Sequence, residues 1–205
     1  YAYGDGVKKD FAEAVKWYTV AADDGNEWAQ NKLANCYYYG DGVEQDEAKA
    51  LEYFKKSAEA GNKNSMSRLG ECYYYGRGTE QNYEEAFKWY QTAAEAGHNI
   101  SKYSVGNCYF AGNGVEQNYE EAIKWFTDAA EQNIEGAMNK LGECYQYGYG
   151  VEQNYEQSLA WYQKAADKGN GWALDAIGSF YEYGKGVERD IDVAIKWYQK
   201  AADKG

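Results

Sequence analysis

Apolar residues recur along this chain at helical spacing in two alternating segments, and the alternation itself returns every 36 residues. Ala29, Leu33, Cys36 and Tyr37 fall at i, i+4, i+7 and i+8, one face of a helix here called A. Tyr83, Phe87, Tyr90 and Ala94 fall at i, i+4, i+7 and i+11, one face of a second helix, B. A G-x-G-V loop joins A to B, as in YYYGDGV from Tyr37; related strings begin at Tyr1, Tyr73, Tyr109, Tyr145 and Tyr181, each 36 positions after the last. A second string, such as KWYQTAAEAG from Lys88 or KWYQKAADKG from Lys196, keeps the same phase. The repeats run 26–61, 62–97, 98–133, 134–169 and 170–205, after a partial copy at 1–25, in one solenoid domain over 1–205.

Punctuation supports these elements. Asp10 with Glu13, Asn82 with Glu85 and Asn118 with Glu121 predict capping boxes, while Asp46 and Asp190 keep only the cap. Gly25, Gly61, Gly97, Gly169 and Gly205 close helix B, with Asn133 standing in where the left-handed conformation is needed. The turn from B to the next A is about two residues, so successive helices pack as antiparallel neighbours. Each helix has an apolar face that one pair cannot cover, so pairs must stack. The expected fold class is all-α: a right-handed α/α superhelical solenoid of antiparallel helix pairs. Ala34, Gly70, Gly106, Gly142 and Gly178 share one site on helix A, where a missing side chain lets helix B approach.

Composition narrows the function classes. An 18% aromatic content, with 23 Tyr and 7 Trp, excludes disorder, and no apolar run is long enough to span a membrane. A net charge of -12 argues against wrapping a phosphate backbone and favours a basic or neutral partner.

The pattern Leu69-Gly70-x-x-Tyr73-x-x-Gly76-x-Gly78, continuing to Ala86-x-x-Trp89-Tyr90-x-x-Ala93-Ala94-x-x-Gly97, resembles the Sel-1-like repeat (SLR), a relative of the tetratricopeptide repeat with a longer A-to-B loop. The resemblance covers the whole chain. It departs at Ala34 for Gly, Thr79 for Val, Ser57 for Ala and Asn133 for Gly. It implies a scaffold or adaptor for protein complexes without catalysis of its own, and no cofactor.

Residues that could carry chemistry have plainer readings. Cys36, Cys72, Cys108 and Cys144 share one site in four repeats, and Phe180 takes it in the fifth, which points to a packed apolar position. Helix axes pack about 8–10 Å apart, too far for pairing between repeats. Unpaired thiols favour a reducing, cytoplasmic compartment, with a secreted or periplasmic one left open. His98, the single histidine, sits at the turn site of Asn26, Asn62 and Asn170 and lacks partners for catalysis or zinc. The G-x-G loops have neither the preceding strand nor the Lys-Ser/Thr of a phosphate loop, and their middle residue varies too widely for calcium. Asn99-Ile100-Ser101 matches a glycosylation acceptor.

In the related tetratricopeptide solenoid helix A lines the concave side, so the non-core A positions are the expected partner-binding face. They form ladders: Asn31, Ser67, Tyr103, Asn139 and Asp175; then Asn35, Glu71, Asn107, Glu143 and Ser179; then Tyr38, Tyr74, Phe110, Gln146 and Glu182. Asn offers donor and acceptor to a peptide backbone, and Tyr is a common anchor. Trp28 and Trp172, opening their helices, are further anchors, and Glu71, Glu143 and Asp175 bias the groove toward basic partners. The expected function is an adaptor binding a protein or peptide in this groove, with no nucleic acid. A glycan or cell-wall array is the alternative, and a hydrolase a more distant one. More repeats are expected to flank the chain.

Overall fold

The computed structural model describes residues 10–204. Among them the chain forms eleven α-helices and no strand. The B helices are α1 (Phe11–Asp23), α3 (Glu47–Glu59), α5 (Tyr83–Glu95), α7 (Tyr119–Glu131), α9 (Tyr155–Asp167) and α11 (Ile191–Ala202); the A helices are α2 (Glu27–Tyr39), α4 (Lys63–Tyr75), α6 (Asn99–Ala111), α8 (Glu135–Tyr147) and α10 (Gly171–Tyr183). The first loop copy and Gly205 lie outside the described residues.

Two compact units are distinguished, residues 1–101 with 113–115, and residues 102–112 with 116–205. In the first, α1 to α4 each pack against the next helix, ending on α5. Its core holds Leu33, Phe54 and Leu69, all fully buried. In the second, α7 to α10 each pack against the next, ending on α11, around a core of Phe126, Leu141, Ile177 and Phe180.

Every helix B with a described start is capped as its sequence requires. Asp10, Asp46, Asn82, Asn118, Asn154 and Asp190 accept the amide three residues on. The capping boxes, however, are only half formed. Glu13, Glu85 and Glu121 turn outward to Lys16, Lys88 and Lys124, because the cap's own backbone N–H is already used: Asn82 donates to the Tyr73 carbonyl and Asn118 to the Tyr109 carbonyl. Helix A ends in a left-handed residue, Gly40, Gly76, Gly148 or Gly184. A loop side chain then reaches back to a carbonyl of its last turn: Gln45 to Tyr38, Gln81 to Tyr74, Gln117 to Phe110 and Gln153 to Gln146.

The second loop glycine answers to a different demand. At Gly42 and Gly114 the backbone lies against the first turn of the preceding helix B, and a side chain would collide with the carbonyls of Phe11 and Tyr83. In mid-helix, a Cβ on Gly106 would sit 2.6 Å from the Phe126 ring, and on Gly142 2.7 Å from Tyr162, so these glycines seat the aromatic of their own helix B. Asn133 holds φ 63°, as its replacement of glycine requires. Ile134 follows at the N-cap of α8 and makes no side-chain cap.

Candidate functional site

In the first unit the A helices bring two ladders together. Asn31 and Asn35 of α2, with Ser67 and Glu71 of α4, line a cavity of about 280 Å³. Asn64, Arg68, His98 and Ile100 complete it. Helical spacing explains the gathering, since positions four apart on adjacent A helices face the same side.

Internal bonds fix the walls. Asn31 is 8% exposed and donates from Nδ2 to Ser65 Oγ at 2.7 Å. Ser65 passes the chain to Ser57 at 2.8 Å, and Ser57 ends it on the Glu27 carbonyl at 2.6 Å. Asn35 donates to the Asn31 carbonyl at 2.7 Å, which leaves its own carbonyl oxygen as an acceptor. Arg68 and Glu71 pair at 2.7 Å. Ser67 is 5% exposed.

His98 replaces the Asn that begins α2, α4 and α10. Those Asn side chains accept from Ala29, Ser65 and Ala173 amides; Nδ1 of His98 does the same for Ser101, at 3.3 Å, and lies 2.9 Å from its hydroxyl. Burial, and then the Lys63 ammonium, push the imidazole below its usual pKa. The ring is therefore neutral, with its proton on Nε2.

The third ladder packs inward against helix B. Tyr38 is a core residue, 7% exposed, against Phe54 at 6.2 Å. Tyr74 packs on Tyr83 and Tyr90, and Phe110 on Tyr119 and Phe126. In the same place Gln146 accepts from Tyr162 at 2.9 Å, and Glu182 from Tyr198 at 2.6 Å. This row faces helix B of its own repeat, with Tyr38 buried and Tyr74 and Phe110 half-buried.

The second unit carries the remaining members of the first two ladders. Tyr103 lies over Gly136 and against Phe126 at 5.9 Å. Asn107 is half-buried, and the buried Oδ1 of Asn139 has no hydrogen-bond partner among the described residues. Glu143 pairs with Lys140 at 2.7 Å, and that ammonium also lies 4.7 Å from the Phe110 ring. Asp175 is exposed, and Trp172 is 80% exposed. In the first unit Trp28 is exposed, with Tyr18 edge-on at 5.7 Å and Lys32 over its ring. Two of the three acids expected to draw a basic partner, Glu71 and Glu143, thus already carry an internal counter-charge.

The four cysteines are buried and unpaired. Burial pushes the thiols of Cys72, Cys108 and Cys144 up to about 12, and raises Cys36 less. Asn99-Ile100-Ser101 lies in α6 with Ser101 fully buried, a poor glycosylation acceptor. Among the described residues no group of His, Cys, Asp and Glu is placed to hold a metal ion, and no helix is long and apolar enough to cross a membrane.

Sequence reasoning missed Asn64, Arg68, His98 and Ile100 as cavity residues. Position could have found two of them, since Asn64 and Ile100 share the helix-opening site of Trp28.

Comparison with known proteins fits this architecture. The model of the Sel1 repeat matches residues 1–26, 29–62, 63–98, 100–134, 136–170 and 173–205. Among solved structures, the chain is 34% identical to c5321, a protective antigen of uropathogenic Escherichia coli strains displaying an SLR fold, with a TM-score of 0.90 over 99% of this chain and 44% of that one. It is 31% identical to a Sel1 repeat protein from Oxalobacter formigenes, with a TM-score of 0.88 over 98% of this chain and 81% of that one. The immunity protein Pa5087 of Pseudomonas aeruginosa, 21% identical over 96% of this chain and 75% of that one, has a TM-score of 0.59 and shares the fold alone. No curated protein matches. The chain spans less than half the length of c5321.

Proposed function

Because the chain belongs to the Sel1 repeat family, whose members are generally protein-interaction scaffolds, we propose that it is a non-catalytic adaptor whose A helices hold an extended segment of a partner protein. The observation that carries this reading is the cavity in the first unit, where two ladders meet and present both donors and acceptors. An extended backbone needs that mixture. The groups that could act on a substrate are engaged otherwise: the thiols are buried, and His98 caps a helix.

Charge plays a separate part. The net charge of -12 speeds encounter with a basic partner at long range, while the cavity, with Glu71 neutralised by Arg68, selects by hydrogen bonding. Short peptides selected from a random library on the immobilised chain test this. Peptides that bind the groove should lose about tenfold or more in affinity when Asn35→Ala and Ser67→Leu are introduced with helicity unchanged. Equal binding by both proteins would move the site to another face.

A further inference from the structure

Resting on the adaptor reading, we infer that the cavity of the first unit is a pocket for a side-chain carboxamide, a glutamine or asparagine of the bound segment. The wall residues define what can enter. Glu71 and Arg68 cancel each other, and His98 is neutral. A carboxylate entering here meets Arg68 but also Glu71, and an ammonium meets Glu71 but also Arg68, with Lys63 close behind at His98. Neither ion finds an unopposed counter-charge. An apolar side chain would cover the polar groups of Asn35, Arg68, Glu71 and His98 without replacing the water they bind, which is costly.

A primary carboxamide satisfies both sides. Its oxygen can accept from the Ser67 hydroxyl, from Nε2–H of His98 or from a remaining Arg68 N–H, and its NH₂ can donate to the Asn35 carbonyl oxygen and to Glu71. The acceptor side is held in place. Asn31 is tied through Ser65 and Ser57 to the Glu27 backbone, and Asn35 is tied to Asn31. Depth argues for a side chain over a main-chain amide. Of the lining residues Ser67 is 5% exposed and Ile100 54% exposed, which favours a polar group carried on a flexible stem.

The test titrates the full chain with N-acetylglutamine methylamide and with its glutamate, lysine and glycine counterparts. Amide resonances of residues 67, 68, 71 and 98 are followed by NMR. The glutamine compound should give saturable shifts in the millimolar range, lost in Ser67→Ala. Glu71→Gln leaves Arg68 unopposed, and should switch the preference to the glutamate compound, an effect that a merely structural role for Glu71 does not produce. Tighter binding of the glutamate or lysine compound by the unaltered protein overturns the inference, as does saturation by the glycine compound, which carries main-chain amides only, or by none of the four. Groove peptides that bind without a carboxamide in the cavity overturn this inference and leave the adaptor reading standing.

Discussion

Asn113 donates from Nδ2 to the Tyr74 hydroxyl at 2.7 Å, linking the middle residue of one G-x-G loop to helix A of the repeat before it. The same relation recurs with different chemistry. The Arg77 guanidinium lies 5.5 Å over the Tyr38 ring, and in the second unit Tyr149 meets Phe110 edge-on at 5.5 Å. In these three loops the variable middle residue is thus matched to the repeat before it. In a double-mutant cycle, Asn113→Ala and Tyr74→Phe should show a coupling of about 0.5–1.5 kcal/mol by denaturant unfolding. Additive losses would mean that the bond contributes nothing to the stacking of repeats.

Gly106 should tolerate one methyl and no more. An added Cβ meets the Phe126 ring at 2.6 Å, so the ring must shift. Ala34 shows that such a shift is available, since it fills the equivalent site and is fully buried beside Phe54. Gly106→Ala gains about 0.5–1 kcal/mol in helix propensity, which offsets the crowding and leaves stability nearly unchanged. Gly106→Leu has no space for its branch and should cost about 1–3 kcal/mol. Thermal melts of the two variants check this, and an unaltered melting temperature for the leucine variant would refute the seating of Phe126 on Gly106.

Much of this was legible before any coordinates. The 36-residue phase, the caps at Asp10 or Asn118 and the left-handed Asn133 are local signals, written in the residues that obey them. The tilt between A and B is not local. Whether the row containing Tyr38 faces a partner or Phe54 depends on how two helices lean, and a helical wheel leaves that angle open. The cavity was half legible for the same reason. Asn35 and Glu71 followed from spacing, but Arg68 and His98 enter it from flanking positions, which spacing alone does not single out.

The buried cysteines predict slow chemistry. With pKa values near 12 at Cys72, Cys108 and Cys144, the thiolate fraction at mildly alkaline pH is about 10⁻⁴. Alkylation should therefore track unfolding of the chain. Cys36, slightly more exposed and less shifted, should react first. Mass spectrometry of a time course resolves the order, and a rapid burst at Cys108 in the native protein would contradict its burial.

His98 should make the first unit sensitive to acid. The folded chain holds its imidazole neutral below 6.5, through burial and Lys63, with Glu71 opposing and Arg68 assisting. The unfolded chain takes up its proton near that ordinary value, so between the two pKa values it carries more protons than the folded one, and stability falls as pH drops through this window. Above 6.5 both states are neutral and the cap on Ser101 is intact. Protonation turns Nδ1 from acceptor to donor and removes that cap, a loss of about 0.5–2 kcal/mol. His98→Asn keeps the cap, as Asn26, Asn62 and Asn170 do in their repeats, and does not titrate. Melting temperatures of the two proteins should agree at neutral pH and diverge below 6.5, the wild type falling faster. Parallel curves would show that protonating His98 carries no penalty in the folded chain.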